Sequence, residues 1–177
     1  MMAGKLAQRV GGDRPALHLD PMRWWHLDGV VALEQVTFGG GAWTLAQFYA
    51  ELAAPGRWLQ VLTDGVRVLG YVDVAVTGRD SDLMTIAVAA ELRGQGWGAQ
   101  MLESALRAAA HRGADVMFLE VRADNPARIL YEQCGFVRID TRRDYYGRGE
   151  HALVMRRRLI MEQRDDAGLG AAAGRDL

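Results

Sequence analysis

Seven residues, Arg93-Gly94-Gln95-Gly96-Trp97-Gly98-Ala99, constrain this chain more than any other stretch. A β-prone run from Leu83 to Ala89 stands before them, and a helical run opens near Gly96. Alternating glycines let a backbone come close to a ligand, and the first turn of a helix offers unpaired N–H groups at its positive end. Together these suit a phosphate. The plainer reading is a flexible strand-to-helix turn, because short glycine motifs are common. No Gly-Lys-Ser/Thr follows, which excludes a P-loop nucleotidase. A dinucleotide site is the sharper rival: Gly94-x-Gly96-x-x-Ala99 meets the relaxed fingerprint, and Glu120 lies near the distance expected of a ribose-binding acid. It loses on two counts. Ala89-Ala90-Glu91-Leu92-Arg93 separates the strand from the first glycine, and a hairpin-rich N-terminal half cannot supply flanking parallel strands.

The rest of the chain alternates the two periodicities. Leu17 to Arg23 reads as a strand, followed by a helix through Val30, Val31, Glu34 and Gln35 that Gly39-Gly40-Gly41 must break. Thr44 is a good N-cap for a second helix, through Phe48 and Leu52, which stops at Pro55-Gly56. Trp58–Leu62 and Val66–Val72 flank Thr63-Asp64-Gly65, a hairpin signature. After the glycine loop, Met101, Leu102, Ala105, Leu106 and Ala109 recur at helical spacing up to Gly113. Val116–Val121 is an apolar run broken only by Glu120, which predicts a central strand covered on both faces. Asn125 as N-cap and Pro126 at the first helical position open another helix, which Gly135 ends. Strands at Phe136–Arg142 and Ala152–Arg158 close the fold. The order β-α-α-β-β-β-α-β-α-β-β predicts a mixed α/β domain over residues 16–160, with a flexible arm at 1–15 and a flexible tail at 161–177.

Composition narrows the function classes. The 177 residues fit one domain, half of them hydrophobic (50%) and about a quarter charged (24%). A formal charge of -1 gives no basic footprint, so nucleic acid is not expected as the main ligand. Cys134 is the one cysteine, so a reducing cytosol is the expected compartment. No apolar run approaches membrane-spanning length, and no secretory signal is expected at Met1-Met2-Ala3-Gly4-Lys5. The four histidines, His18, His26, His111 and His151, lack ligand spacing, and no metal is expected.

Arg93-x-x-Gly96-x-Gly98, with Ile86-Ala87-Val88 before it and Met101-Leu102 after it, resembles the pyrophosphate loop of the GNAT superfamily of N-acetyltransferases. Leu119-Glu120-Val121-Arg122-Ala123-Asp124-Asn125-Pro126-Ala127 and Leu130-Tyr131-Glu132-Gln133-Cys134-Gly135-Phe136 resemble its RimI-type branch, the ribosomal-protein-alanine N-acetyltransferases. Arg142-Arg143-Asp144-Tyr145-Tyr146 resembles that branch's Arg-x-x-Tyr-Tyr segment. The resemblance spans roughly Leu17 to Leu159. It implies a mixed, bent central sheet of about seven strands flanked by helices, with acetyl-CoA in a V-shaped opening. By the same resemblance the backbone of Ile86, Ala87 and Val88 pairs with the pantetheine arm, and the Val88 N–H points at the thioester oxygen. Arg93, Gly94, Gln95, Gly96, Trp97, Gly98 and Ala99 hold the pyrophosphate, and Asn125 contacts the cofactor arm. Glu120 is the implied proton acceptor and Tyr131 the implied donor. Trp43, Tyr145 and Tyr146 fall on the substrate side. Two departures touch that side: Gly39-Gly40-Gly41-Ala42 stands where the branch has Phe-Pro before its Trp, and Gly147 replaces a proline after Tyr-Tyr.

The chemistry is coherent. An α-amino group, with a pKa near 7.7–8.0, needs only a modest base, whereas lysine titrates near 10.4. Burial on an apolar strand is expected to raise the Glu120 pKa toward that task; the plainer roles are a solvated acid or a partner of Arg122. A phenol near 10 stays protonated and available to a thiolate; the plainer role of Tyr131 is helix packing. Tyr145 and Tyr146 line a peptide groove or simply fill β positions. Cys134 has no nearby histidine to activate it and is expected to pack. The expected activity is acetyl transfer from acetyl-CoA to a protein N-terminus. A small-subunit ribosomal protein beginning with alanine is the substrate the resemblance implies. The alternatives are acetylation of a small amine on the same fold, or an acyl-CoA sensor without turnover; the presence of both Glu120 and Tyr131 favours an enzyme.

Overall fold

The computed structural model describes residues 16–159, so the expected arm at 1–15 and tail at 161–177 lie outside the described residues. Seven strands and four helices follow the expected order: β1 His18–Pro21, α1 Leu27–Phe38, α2 Leu45–Ala53, β2 Arg57–Thr63, β3 Val68–Thr77, β4 Asp80–Val88, α3 Trp97–His111, β5 Val116–Arg122, α4 Ala127–Gln133, β6 Val137–Gly147 and β7 Glu150–Arg158. The strands form one mixed seven-stranded sheet in the order β1-β2-β3-β4-β5-β7-β6. The chain divides into two compact units. The first comprises residues 16–75 and 83–105, the second 76–82 and 106–159.

In the first unit β1, β2 and β3 pair antiparallel, and Asp64 makes the β2–β3 turn by accepting the Val66 and Arg67 N–H groups. Gly39–Gly41, just past α1, forms a short 3-10 turn, so the glycine run breaks the helix as expected. Thr44 caps α2 reciprocally: its hydroxyl accepts the Gln47 N–H at 3.3 Å, and the Gln47 side chain accepts the Thr44 N–H at 2.8 Å. Met22, Leu27, Val30, Phe48 and Tyr71 bury together, with the Phe48 ring edge-on to Tyr71 at 5.6 Å. A Cβ at Gly70 would come within 3.0 Å of the Met101 sulfur and 3.1 Å of the Ala87 carbonyl, so the absent side chain lets β3 lie close to the start of α3 and the end of β4.

In the second unit Asp80–Asp82 run parallel to Val116–Phe118, while β5 and β6 each pair antiparallel with β7. Three boundaries differ from expectation by three residues or more. β3 continues to Thr77, past Asp73, a carboxylate that interrupts the apolar pattern yet is fully buried (0% exposed). β4 begins at Asp80, because pairing with β5 carries it through a charged segment that periodicity does not mark, and β6 runs on to Gly147, where its pairing with β7 resumes after an irregularity that follows Arg142. The expectation that β5 is covered on both faces is corrected. Met117, Leu119 and Val121 are buried while Glu120 between them is exposed, so the apolar run has one fully covered face.

Candidate functional site

The glycine loop leads from β4 into α3. A short 3-10 turn, Ala90–Leu92, follows β4, and the Arg93 and Gln95 N–H groups are spent on the Ala90 and Leu92 carbonyls. The Arg93 side chain donates to the Val88 carbonyl at 3.2 Å, and the Gln95 amide donates to the Glu91 carbonyl at 2.7 Å. Gly94 and Gly96 have φ of 73° and 86°, the left-handed region that side-chain-bearing residues rarely enter, and nothing lies within 4 Å of where a Cβ would stand. The first helical bond of α3 runs from the Gln100 N–H to the Gly96 carbonyl at 3.1 Å. Trp97, Gly98 and Ala99 therefore present N–H groups with no carbonyl one turn back, at the positive end of a 15-residue helix. These residues fit a diphosphate. Of the three residues expected to meet the pantetheine arm, Ala87 is buried, while Ile86 and Val88 are partly covered.

Trp43, in the same unit, is partly buried and tilts against Phe48 at 5.5 Å. Its N–H donates to Glu34 Oε1 at 3.0 Å, and the other Glu34 oxygen has no hydrogen-bond partner. Burial raises the Glu34 pKa, and the Trp43 N–H partly offsets that. The sequence places Glu34 on the helix but carries no signal of this tie.

In the second unit Glu120 is not buried as expected. Its side chain is 32% exposed and ion-paired to Arg142, Oε1 to Nη2 at 3.0 Å. The plainer reading also named the wrong arginine, since Arg122 is occupied by Asp124 at 3.0 Å and Glu150 at 2.9 Å. Those two acids keep the Arg122 guanidinium charged, and Arg122 in turn lowers the Asp124 pKa. Tyr131 is buried (8% exposed) on α4, with its ring 6.1 Å from Phe136, and burial pushes its pKa up to about 12. Such a phenol stays protonated throughout the physiological range and releases its proton only to a strong base.

Asn125 caps α4, its side-chain oxygen accepting the Ala127 N–H at 2.9 Å, which leaves the amide nitrogen for any further contact. Cys134 ends that helix, and its carbonyl accepts the Arg157 guanidinium at 2.6 Å. Tyr145 and Tyr146 stand edge-to-face at 5.0 Å on β6, with Arg142 over the Tyr145 ring and Arg122 over the Tyr146 ring. Partial burial, then Glu120 and Tyr145, raise the Tyr146 pKa, while Arg122 opposes them. The strand is kinked beneath this pair: Asp144 has φ 55°, and its N–H donates to His151 Nδ1 at 3.0 Å.

No helix among the described residues is long and apolar enough to cross a membrane. The sheet order and the glycine-opened helix define an acyltransferase-type fold that solved structures share. The crystal structure of the ribosomal-protein-S18-alanine N-acetyltransferase from Escherichia coli matches with a TM-score of 0.74 and 26% identity, covering 85% of this chain and 98% of that one. A family model described as the acetyltransferase (GNAT) family matches residues 22–136, and this chain belongs to that family. Members of the family use acyl-CoA. The chain is similar to the N-alpha-acetyltransferase RimI of Mycobacterium tuberculosis (strain ATCC 25618 / H37Rv), 36% identical over 129 residues, 70% of this chain and 80% of that protein. It is also similar to the [ribosomal protein bS18]-alanine N-acetyltransferase of Haemophilus influenzae (strain ATCC 51907 / DSM 11121 / KW20 / Rd), 32% identical over 104 residues, 56% of this chain and 71% of that protein.

Proposed function

We propose that this chain is a cytosolic peptide N-α-acetyltransferase, its catalytic domain spanning residues 16–160, that acetylates a protein beginning with a small residue such as alanine. A ribosomal protein is the proposed substrate, in keeping with what its relatives are named for. The observation that carries the proposal is the row of unpaired N–H groups at Trp97, Gly98 and Ala99 beside left-handed Gly94 and Gly96, a cradle for a diphosphate.

Acetyl-CoA supplies an activated thioester. The loop from Arg93 to Ala99 grips its diphosphate, the backbone of Ile86, Ala87 and Val88 aligns the pantetheine arm, and the Asn125 amide nitrogen contacts that arm. The Val88 N–H stabilises the developing oxyanion. Glu120 takes the proton of the attacking α-amine, directly or through a water, as the N–C bond forms. Tyr131 gives its proton to the departing sulfur as the C–S bond breaks, and the products are an acetylated N-terminus and free CoA. With a pKa of about 12, well above that of a thiol, Tyr131 hydrogen-bonds the sulfur as the C–S bond breaks and is reprotonated as the proton taken by Glu120 returns through solvent, which resets both side chains. Trp43, Tyr145 and Tyr146 receive the peptide.

A peptide library incubated with acetyl-CoA and read by mass spectrometry tests the proposal. Acetyl groups are expected on the α-amines of Ala- or Ser-starting peptides. Acetylated lysine side chains would contradict it, and acetyl-CoA binding without any product would point to a sensor.

A further inference from the structure

We infer that Arg142 is a positioning residue for Glu120, fixing the carboxylate through one oxygen so that the other is left to receive the substrate proton. The inference rests on the proposed role of Glu120 and goes beyond it. It starts from register. Glu120 lies opposite Val154 on β7, and Arg142, on the far side of β7, lies opposite Ala152. The two side chains meet diagonally across the middle strand, over a buried alanine too small to separate them, and close to 3.0 Å between Nη2 and Oε1.

Arg122 is the nearer candidate, two residues along β5 on the same face, but Asp124 and Glu150 hold it. Arg142 has Glu120 as its acidic partner, and its guanidinium stacks 5.4 Å from the centre of the Tyr145 ring. The two stacked residues straddle the kink in β6 at Asp144. The register shifts between Arg142 and Gly147, and Asp144 in its left-handed conformation accepts the Gly149 N–H at 2.6 Å while donating its own to His151. Tyr145 thus backs Arg142, and Arg142 orients Glu120. With side chains 51% and 32% exposed, the pair contributes little to folding, so its value lies in orientation.

A double-mutant cycle on the full chain, assayed with acetyl-CoA and an Ala-starting peptide, tests the inference. Arg142→Met is expected to lower kcat about tenfold, leaving KM for acetyl-CoA and the melting temperature nearly unchanged, because only a transition-state interaction is lost. Arg142→Lys should recover roughly a third of the activity, since the charge returns without the planar stack. In a Glu120→Gln background, Arg142→Met should cost nothing further. Independently of turnover, 15N spectra of the arginine side chains should show one guanidinium with restricted rotation that Glu120→Gln releases. Full activity of Arg142→Met, an undiminished loss in the Glu120→Gln background, or no such restricted guanidinium would overturn the inference. If Glu120→Gln is slow while Arg142→Met is not, only the positioning role falls; if Glu120→Gln itself is fully active, the proposed base falls with it.

Discussion

Glu120→Gln is expected to lower kcat by about 100-fold or more while acetyl-CoA affinity stays within about twofold of wild type, the signature of a lost general base. The substitution keeps shape and removes basicity. Folding should barely change, because the carboxylate is a third exposed and its partner Arg142 remains hydrated at the surface. Tyr131→Phe should act on the same step, with a smaller loss of roughly 10- to 100-fold. It removes only a hydroxyl from a ring that packs on Phe136, so the variant should fold. Stopped-flow turnover beside calorimetric acetyl-CoA titration separates the two quantities. Wild-type kcat in both variants would reassign Glu120 to its ion pair with Arg142 and Tyr131 to helix packing.

The second large effect is on stability and belongs to Asp73. Its side chain is fully buried on β3, and neither oxygen accepts a hydrogen bond, while the protonated form can donate one to the neighbouring Glu51 carboxylate. Burial above all, and then Glu51, raise its pKa to about 7, with Arg57 opposing them. In the unfolded chain the same carboxyl titrates near 3.9. The folded state therefore keeps a proton that the unfolded state releases, and folding becomes less favourable as the pH rises between those two values. Relative to Asp73→Asn, wild type should lose about 4 kcal/mol between pH 4 and pH 8, from roughly 3 pKa units at 1.36 kcal/mol each. Urea unfolding of both proteins across that range measures the gap. It should open with rising pH and level off above about 7; a gap independent of pH would mean that Asp73 is not protonated in the fold.

Much of this was legible because the signals were local. Gly94 and Gly96 sit where the backbone turns left-handed, Thr44 and Asn125 cap as their side chains permit, and the helical spacing of Met101 to Ala109 marks a buried face. What escaped was tertiary. Asp73 breaks an apolar pattern, yet pairing with Leu59 carries β3 straight through it. The exposure of Glu120 follows from which face of β5 is covered, and its link to Arg142 depends on an alignment across two strand pairings between residues 22 positions apart. Trp43 looked like a substrate contact only; that its N–H is held by buried Glu34 needs the turn after α1 to bring position 43 back beside position 34.

The most direct measurement is calorimetric titration of acetyl-CoA, and of S-acetylpantetheine as its diphosphate-free counterpart, into wild type and Gly96→Val. A β-branched residue is strongly disfavoured at the Gly96 φ of 86°, so the amide row that opens α3 should lose its shape while circular dichroism still reports a folded chain. Acetyl-CoA should bind the variant at least tenfold more weakly, and S-acetylpantetheine should bind both proteins equally poorly. Unchanged acetyl-CoA affinity in Gly96→Val would mean that the diphosphate is held elsewhere.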